Sequence, residues 1–144
     1  MAVNAGQRHV PDTAGNRALD ACEYARELAI HTIKICNNKN IFKPEYQSAL
    51  TNRIIAFAVD IYTNAWGANN ILVGDNAENW HERHRLQELA ANECNRLMAL
   101  IQIAKALFHL RQKKVKYWGD LTVKTRNYIQ KWKEKDIERY GDRF

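Results

Sequence analysis

Glu78 and His81 stand three residues apart, Glu27 and His31 four apart, and His81, His84 and Glu88 can share one helix face. These spacings let helical side chains converge on a metal ion. A di-iron carboxylate bundle, however, needs two Glu-x-x-His motifs and two further inward carboxylates. The chain offers one match, Glu78-Asn79-Trp80-His81, at the exposed start of an expected helix, and no second set completes a cage around Glu27 and His31. His81, His84 and Glu88 lack a fourth ligand and stand among charged residues, which fits a solvated face. Nucleophilic chemistry is no better supplied. Cys94 falls between Ala90 and Leu97 on an apolar side, the setting of a buried thiol rather than a reactive thiolate. No Gly-rich phosphate loop and no Cys-x-x-Cys is present. The residues therefore specify no reaction, no catalytic group, no metal and no cofactor.

What they do specify is a cationic end. Residues 111–144 hold eleven Lys and Arg against five acids, which accounts for the whole formal net charge of +6. A near-neutral body with one basic end makes a directional field that suits a polyanion or an acidic partner. Arg111, Lys113, Lys114, Lys116, Lys124, Lys131 and Lys135 are the candidate nucleic-acid contacts. Cations on phosphates give affinity without sequence readout. Tyr117, Trp118, Tyr128 and Trp132 are interleaved with them, and aromatic rings can stack on single-stranded bases. Trp118 and Trp132 fall on the expected core face, so backbone contact is the better-supported use of this segment. The alternative is a charged helix face that only meets water.

The elements that must carry these groups are helices. Only two prolines and six glycines punctuate 144 residues, one typical domain. Residues 1–12 read as a flexible arm, 13–140 as a bundle domain and 141–144 as a tail. A first helix is expected from Thr13–Asn16 to Cys36, with Cys22, Ala25, Ala29, Ile33 and Cys36 inward at steps of three and four. Pro44 suits the first turn of a second helix, with Leu50, Ile54, Phe57, Ile61, Ala65, Ala68 and Leu72 on one stripe and Gly74 at its end. Asp75 with Glu78 resembles a capping box opening a third. Leu86, Ala90, Leu97, Ile101, Ala104 and Phe108 mark that helix's core face. Lys113–Lys116 read as a connection to a fourth, which turns Trp118, Leu121, Thr125, Tyr128 or Ile129, and Trp132 inward and Lys124, Lys131 and Lys135 outward. No useful strand alternation occurs. The expected fold is all-α, an antiparallel up-down four-helix bundle with short loops.

Two further patterns bear on assembly. Within Leu97–Leu110 the polar residues Gln102, Lys105 and His109 form one narrow stripe, and the remaining circumference is apolar. That excess suggests cover from another subunit, with Leu97, Leu100, Ile103 and Leu107 as interface candidates. Arg53, Asn64, Asn69 and Asn70 lie among apolar residues of the second helix. They either fix register or line an interface through hydrogen bonds, or they point to solvent. Cys22, Cys36 and Cys94 are odd in number and lie in apolar patterns, which fits small buried groups in a reducing compartment. With no signal-peptide pattern and no apolar run near the ~20 residues of a membrane span, the expected location is cytoplasmic.

Several strings resemble a known group: Leu50-Thr51-Asn52-Arg53-Ile54-Ile55, Ala65-Trp66-Gly67-Ala68-Asn69-Asn70, Cys94-Asn95-Arg96-Leu97-Met98-Ala99-Leu100-Ile101, and Tyr117-Trp118. Over about residues 17–140 the chain resembles the four-helix-bundle family that includes ribosomal-RNA intervening-sequence proteins. Within it, the chain is most similar to the accessory variability determinant (Avd) proteins of diversity-generating retroelements. That resemblance implies a basic, pentameric barrel that binds RNA and the element's reverse transcriptase in support of mutagenic copying. The wider family often has Ala-Glu-Gly near the close of its second helix, where this chain has Gly67-Ala68-Asn69-Asn70. A scaffold docking its basic face on an acidic protein is the alternative, and a bundle metalloenzyme the third.

Overall fold

A computed structural model describes residues 14–144, with side chains from Arg17 onward; the arm expected over 1–12 lies outside the described residues. Four long helices follow in order: α1 (Ala14–Cys36), α2 (Asn52–Asn69), α3 (Ala77–Phe108) and α4 (Gln112–Tyr140). A 3₁₀ turn over Pro44–Tyr46 and a π turn over Gln47–Thr51 lead into α2. No strand occurs among the described residues. Helix neighbours are α1 with α2, α2 with α3, α3 with α4 and α4 with α1, a closed square of antiparallel helices. This is the expected four-helix bundle.

Small residues let the helices approach. Ala18, Ala21, Ala25 and Ala29 of α1, Ala58, Ala65 and Ala68 of α2, and Ala90, Ala91 and Ala104 of α3 are buried. Short side chains at facing positions permit close axes, and the larger Phe42, Trp118 and Trp132 fill what remains. Two buried hydroxyls satisfy polar groups across the α1–α4 seam. The Trp118 indole Nε1 donates to Thr32 Oγ1 at 3.0 Å, and Thr125 Oγ1 donates to the Tyr24 carbonyl at 3.3 Å.

The structure corrects the expected pattern in several places. Ile33 is exposed, and Thr32 takes the inward position because Trp118 needs its acceptor. The second helix stops at Asn69 rather than Gly74, so Leu72 leaves the stripe and is 84 % exposed while Val73 turns inward. Gly74 then supplies a left-handed φ of 54°, which glycine adopts without Cβ strain. The cap of α3 is Asn76, not Asp75: its side chain accepts the Asn79 N–H at 3.0 Å. At the other end His109, with φ 53°, closes α3, and α4 opens at Gln112. Lys113–Lys116 are thus helical rather than a connection. Of the Tyr128 and Ile129 alternatives, Ile129 is fully buried and Tyr128 lies half-buried against Tyr24, ring centroids 4.6 Å apart. Leu97 is fully buried within the single chain and belongs to its core, not to a subunit surface; Leu100 is half-buried, and Ile103 and Leu107 are exposed.

The polar core also lies elsewhere than the sequence suggests. Arg53 and Asn70 face solvent, Asn69 is half-buried, and Asn64 ties α2 to α3 by donating to Glu93 Oε1 at 2.7 Å. The deeper network joins α3 to α4. Arg83 Nε donates to Asp136 Oδ2 at 2.6 Å, Arg83 Nη1 donates to the Ile71 carbonyl at 3.1 Å, and Gln87 Nε2 donates to Asp136 Oδ2 at 2.7 Å. The guanidinium lies 5.3 Å from the Trp132 ring centroid. Asp136 is fully buried.

Cys22, Cys36 and Cys94 are free and buried, and burial pushes each thiol up to about 12. A protonated, enclosed thiol is a poor nucleophile. Iodoacetamide at mildly alkaline pH is expected to leave folded protein unlabelled and to alkylate all three thiols in denaturant. Intact-mass spectra showing a native adduct would contradict this.

Candidate nucleic-acid interface

Every cation proposed from sequence is exposed: Arg111, Lys113, Lys114, Lys116, Lys124, Lys131 and Lys135. At 100° per residue, Lys113, Lys124, Lys131 and Lys135 fall within one narrow sector of α4 and span roughly 33 Å along its axis. Their surroundings differ. Lys116 Nζ donates to Asp120 Oδ2 at 2.8 Å and Lys135 Nζ to Glu138 Oε1 at 3.4 Å. Such exposed pairs hold a lysine weakly. Lys124 lies 4.4 Å from the Tyr24 ring centroid, and its hydrogen bond with Tyr24 raises its affinity for the proton. Among the described residues, no carboxylate lies within ion-pair distance of Arg111, Lys113, Lys114 or Lys131.

Arg111, Lys113 and Lys114 border a cleft at the end of the bundle, a feature with no single sequence signal. Three chain segments build it. After α1, the Asn38 carbonyl accepts the Ile41 and Phe42 N–H groups at 3.1 and 2.8 Å, folding the loop back so that both side chains return. At the α3–α4 turn, the Leu110 N–H reaches the Lys105 carbonyl at 3.2 Å. The first turns of α4 then bring Tyr117 and Trp118 alongside α1. The resulting cleft encloses about 580 Å³, with Ile35, Ile41, Phe42, Leu110 and Trp118 as an apolar floor. Lys34 of α1 joins the three α4-side cations at the rim. Sequence reasoning missed Lys34 because its partners lie almost eighty residues further along the chain.

No known protein family, curated protein or solved structure matches this chain. The site is therefore read from its own geometry. Tyr117 is 54 % exposed and meets His31 edge-on at 4.9 Å between centroids. Burial holds His31 below its ordinary pKa of 6.5, against the pull of Glu27 and with help from Lys34. Behind Tyr117 a smaller hollow of about 270 Å³ is lined by the acids Glu23 and Glu27 together with Arg26 and Lys34. An anion is thus favoured on the Lys113–Lys114 side of the ring.

The other residues singled out for chemistry stay apart. Glu78 and His81 are exposed at the start of α3. His84 Nε2 lies 3.6 Å from Glu88 Oε1, and its ring is 5.1 Å from that of Trp80. Among the described residues, no group of three or more His, Cys, Asp or Glu is placed to hold a metal ion. No described helix is long and apolar enough to cross a membrane.

Proposed function

We propose that this chain is a non-enzymatic, homo-oligomeric accessory protein that binds RNA and serves a reverse transcriptase in a diversity-generating retroelement. One observation carries the RNA part: the whole net charge falls on residues 111–144, where nine of the eleven cations are exposed, while residues 1–110 are neutral overall. A charged stripe of this length matches the spacing of a phosphate backbone better than that of one carboxylate ligand. The reverse-transcriptase and pentamer parts rest on the resemblance carried by Leu50–Ile55, Ala65–Asn70, Cys94–Ile101 and Tyr117-Trp118. RNA affinity measured against salt tests the first part: log affinity should fall linearly with log salt and show little dependence on RNA sequence. A salt-independent affinity refutes it.

Assembly has its own support. Leu89, Ile103 and Leu107 on α3 expose apolar surface, 37 %, 51 % and 39 % respectively. Covering this stripe with a second copy removes apolar area from water. A closed ring satisfies identical head-to-tail interfaces without leaving an open filament, and it gathers several basic faces for avidity. Light scattering is expected to return a multiple of the 16.8 kDa chain mass. A mass equal to one chain overturns the assembly part of the proposal. The alternative, a protein scaffold that docks its basic face on an acidic partner, predicts partner binding with no affinity for RNA.

A further inference from the structure

We propose that the cleft at the α3–α4 end receives an unstacked RNA base, so that the protein grips single strands in preference to duplex. This rests on the RNA reading and adds to it a site for something other than phosphate. The cleft's size falls in the range of ligand pockets, roughly 300–1,000 Å³, and its floor offers no charged group to oppose a flat apolar ring. Tyr117 stands at its edge with half its surface free, while Trp118 behind it is fixed by its bond to Thr32. Lys34, Arg111, Lys113 and Lys114 ring the opening, where the phosphates flanking an inserted base would lie. None of the last three has a competing carboxylate among the described residues.

The position of the cleft selects a polymer over a lone anionic amphiphile. Lys113 belongs both to the rim and to the α4 sector that continues through Lys124 and Lys131. A strand with one base in the cleft has a cationic track for its next phosphates. A base paired inside a duplex cannot enter, because its faces are stacked and its edge is occupied. Stacking on an aromatic side chain is sequence-tolerant, since every base has a π face, so this preference is for strandedness rather than sequence.

The test compares a fluorescent oligouridine, a duplex RNA and a backbone-only strand whose bases are replaced by abasic spacers. Wild-type protein is expected to bind oligouridine roughly ten- to a hundred-fold more tightly than the abasic strand. Tyr117→Ala should collapse that ratio toward one, and Tyr117→Phe should restore it. Trp66→Ala, which removes another exposed aromatic outside the cleft, should leave the ratio intact. Thermal unfolding of each variant confirms that the bundle persists. Equal binding of oligouridine and abasic strand overturns the base site while leaving phosphate binding by α4 in place. Absence of binding to all three probes overturns the RNA reading itself, and the cleft assignment with it.

Discussion

Asp136→Ala is expected to destabilise the bundle by about 3–5 kcal/mol, because it strands the buried Arg83 guanidinium without its counter-charge. Asp136 accepts from Arg83 Nε and Nη2 at 2.6 and 3.3 Å and from Gln87 Nε2 at 2.7 Å, so its loss orphans three donor groups. Arg83 is only 7 % exposed and cannot turn to water without leaving the carbonyl of Ile71 and the face of Trp132. For a domain whose total stability is about 5–15 kcal/mol, that is a large share. Thermal circular dichroism should show Tm falling by on the order of 10–15 °C. The pair need not be the most stable filling of its space. Arg83→Met combined with Asp136→Leu is expected to recover much of the loss, since matched apolar replacements often equal a buried ion pair. A single Asp136→Ala variant melting within ~2 °C of wild type would show that the network contributes little.

The second large effect concerns binding. Lys124→Glu with Lys131→Glu and Lys135→Glu reverses three charges on one exposed sector of α4 and touches no buried residue. The fold should survive, with some gain or loss from Lys135's weak pair with Glu138. RNA affinity should fall by at least roughly a hundred-fold at physiological salt, and similarly for unrelated sequences. The salt slope should drop by up to about one unit per lost phosphate contact. Lys131 is expected to account for the largest single share, because Tyr24 engages Lys124 and Glu138 engages Lys135, while no acid competes for Lys131 among the described residues. Unchanged RNA affinity with lost binding to a reverse transcriptase would favour the scaffold reading. If neither changed, α4 would be a solvated face.

The bundle was legible because apolar residues stepping by three and four persist through every helix. Trp118, Leu121, Thr125 and Trp132 could be placed inward from that spacing alone. The failures have specific causes. Leu72 was projected along a helix that ends three residues earlier, at Asn69. Leu97 falls on both the core-face and the interface lists because nearly all of Leu97–Leu110 is apolar, and periodicity cannot choose a face when almost every face qualifies; its burial bears out the core reading. Arg83 and Asp136 carry no signal of pairing in the sequence; only the α3–α4 packing makes them partners 53 residues apart. The cations of α4 were visible as composition, whereas the cleft they border needed three separate chain segments to meet.

That meeting has a consequence in time. The cleft lies where the first helix closes on the last, and Trp118 finds Thr32 across 86 residues of chain. At ~5–20 residues per second of synthesis, α1 waits roughly 4–17 s for the strand of sequence that will cover it. During that interval Ile35, Ile41 and Phe42 have no indole to pack against, and the cationic rim has not yet been made. The surface that would hold RNA therefore comes into being only with the final helix. A nascent or incompletely folded chain would lack the cleft, and occupancy of this site would report that the bundle has been completed.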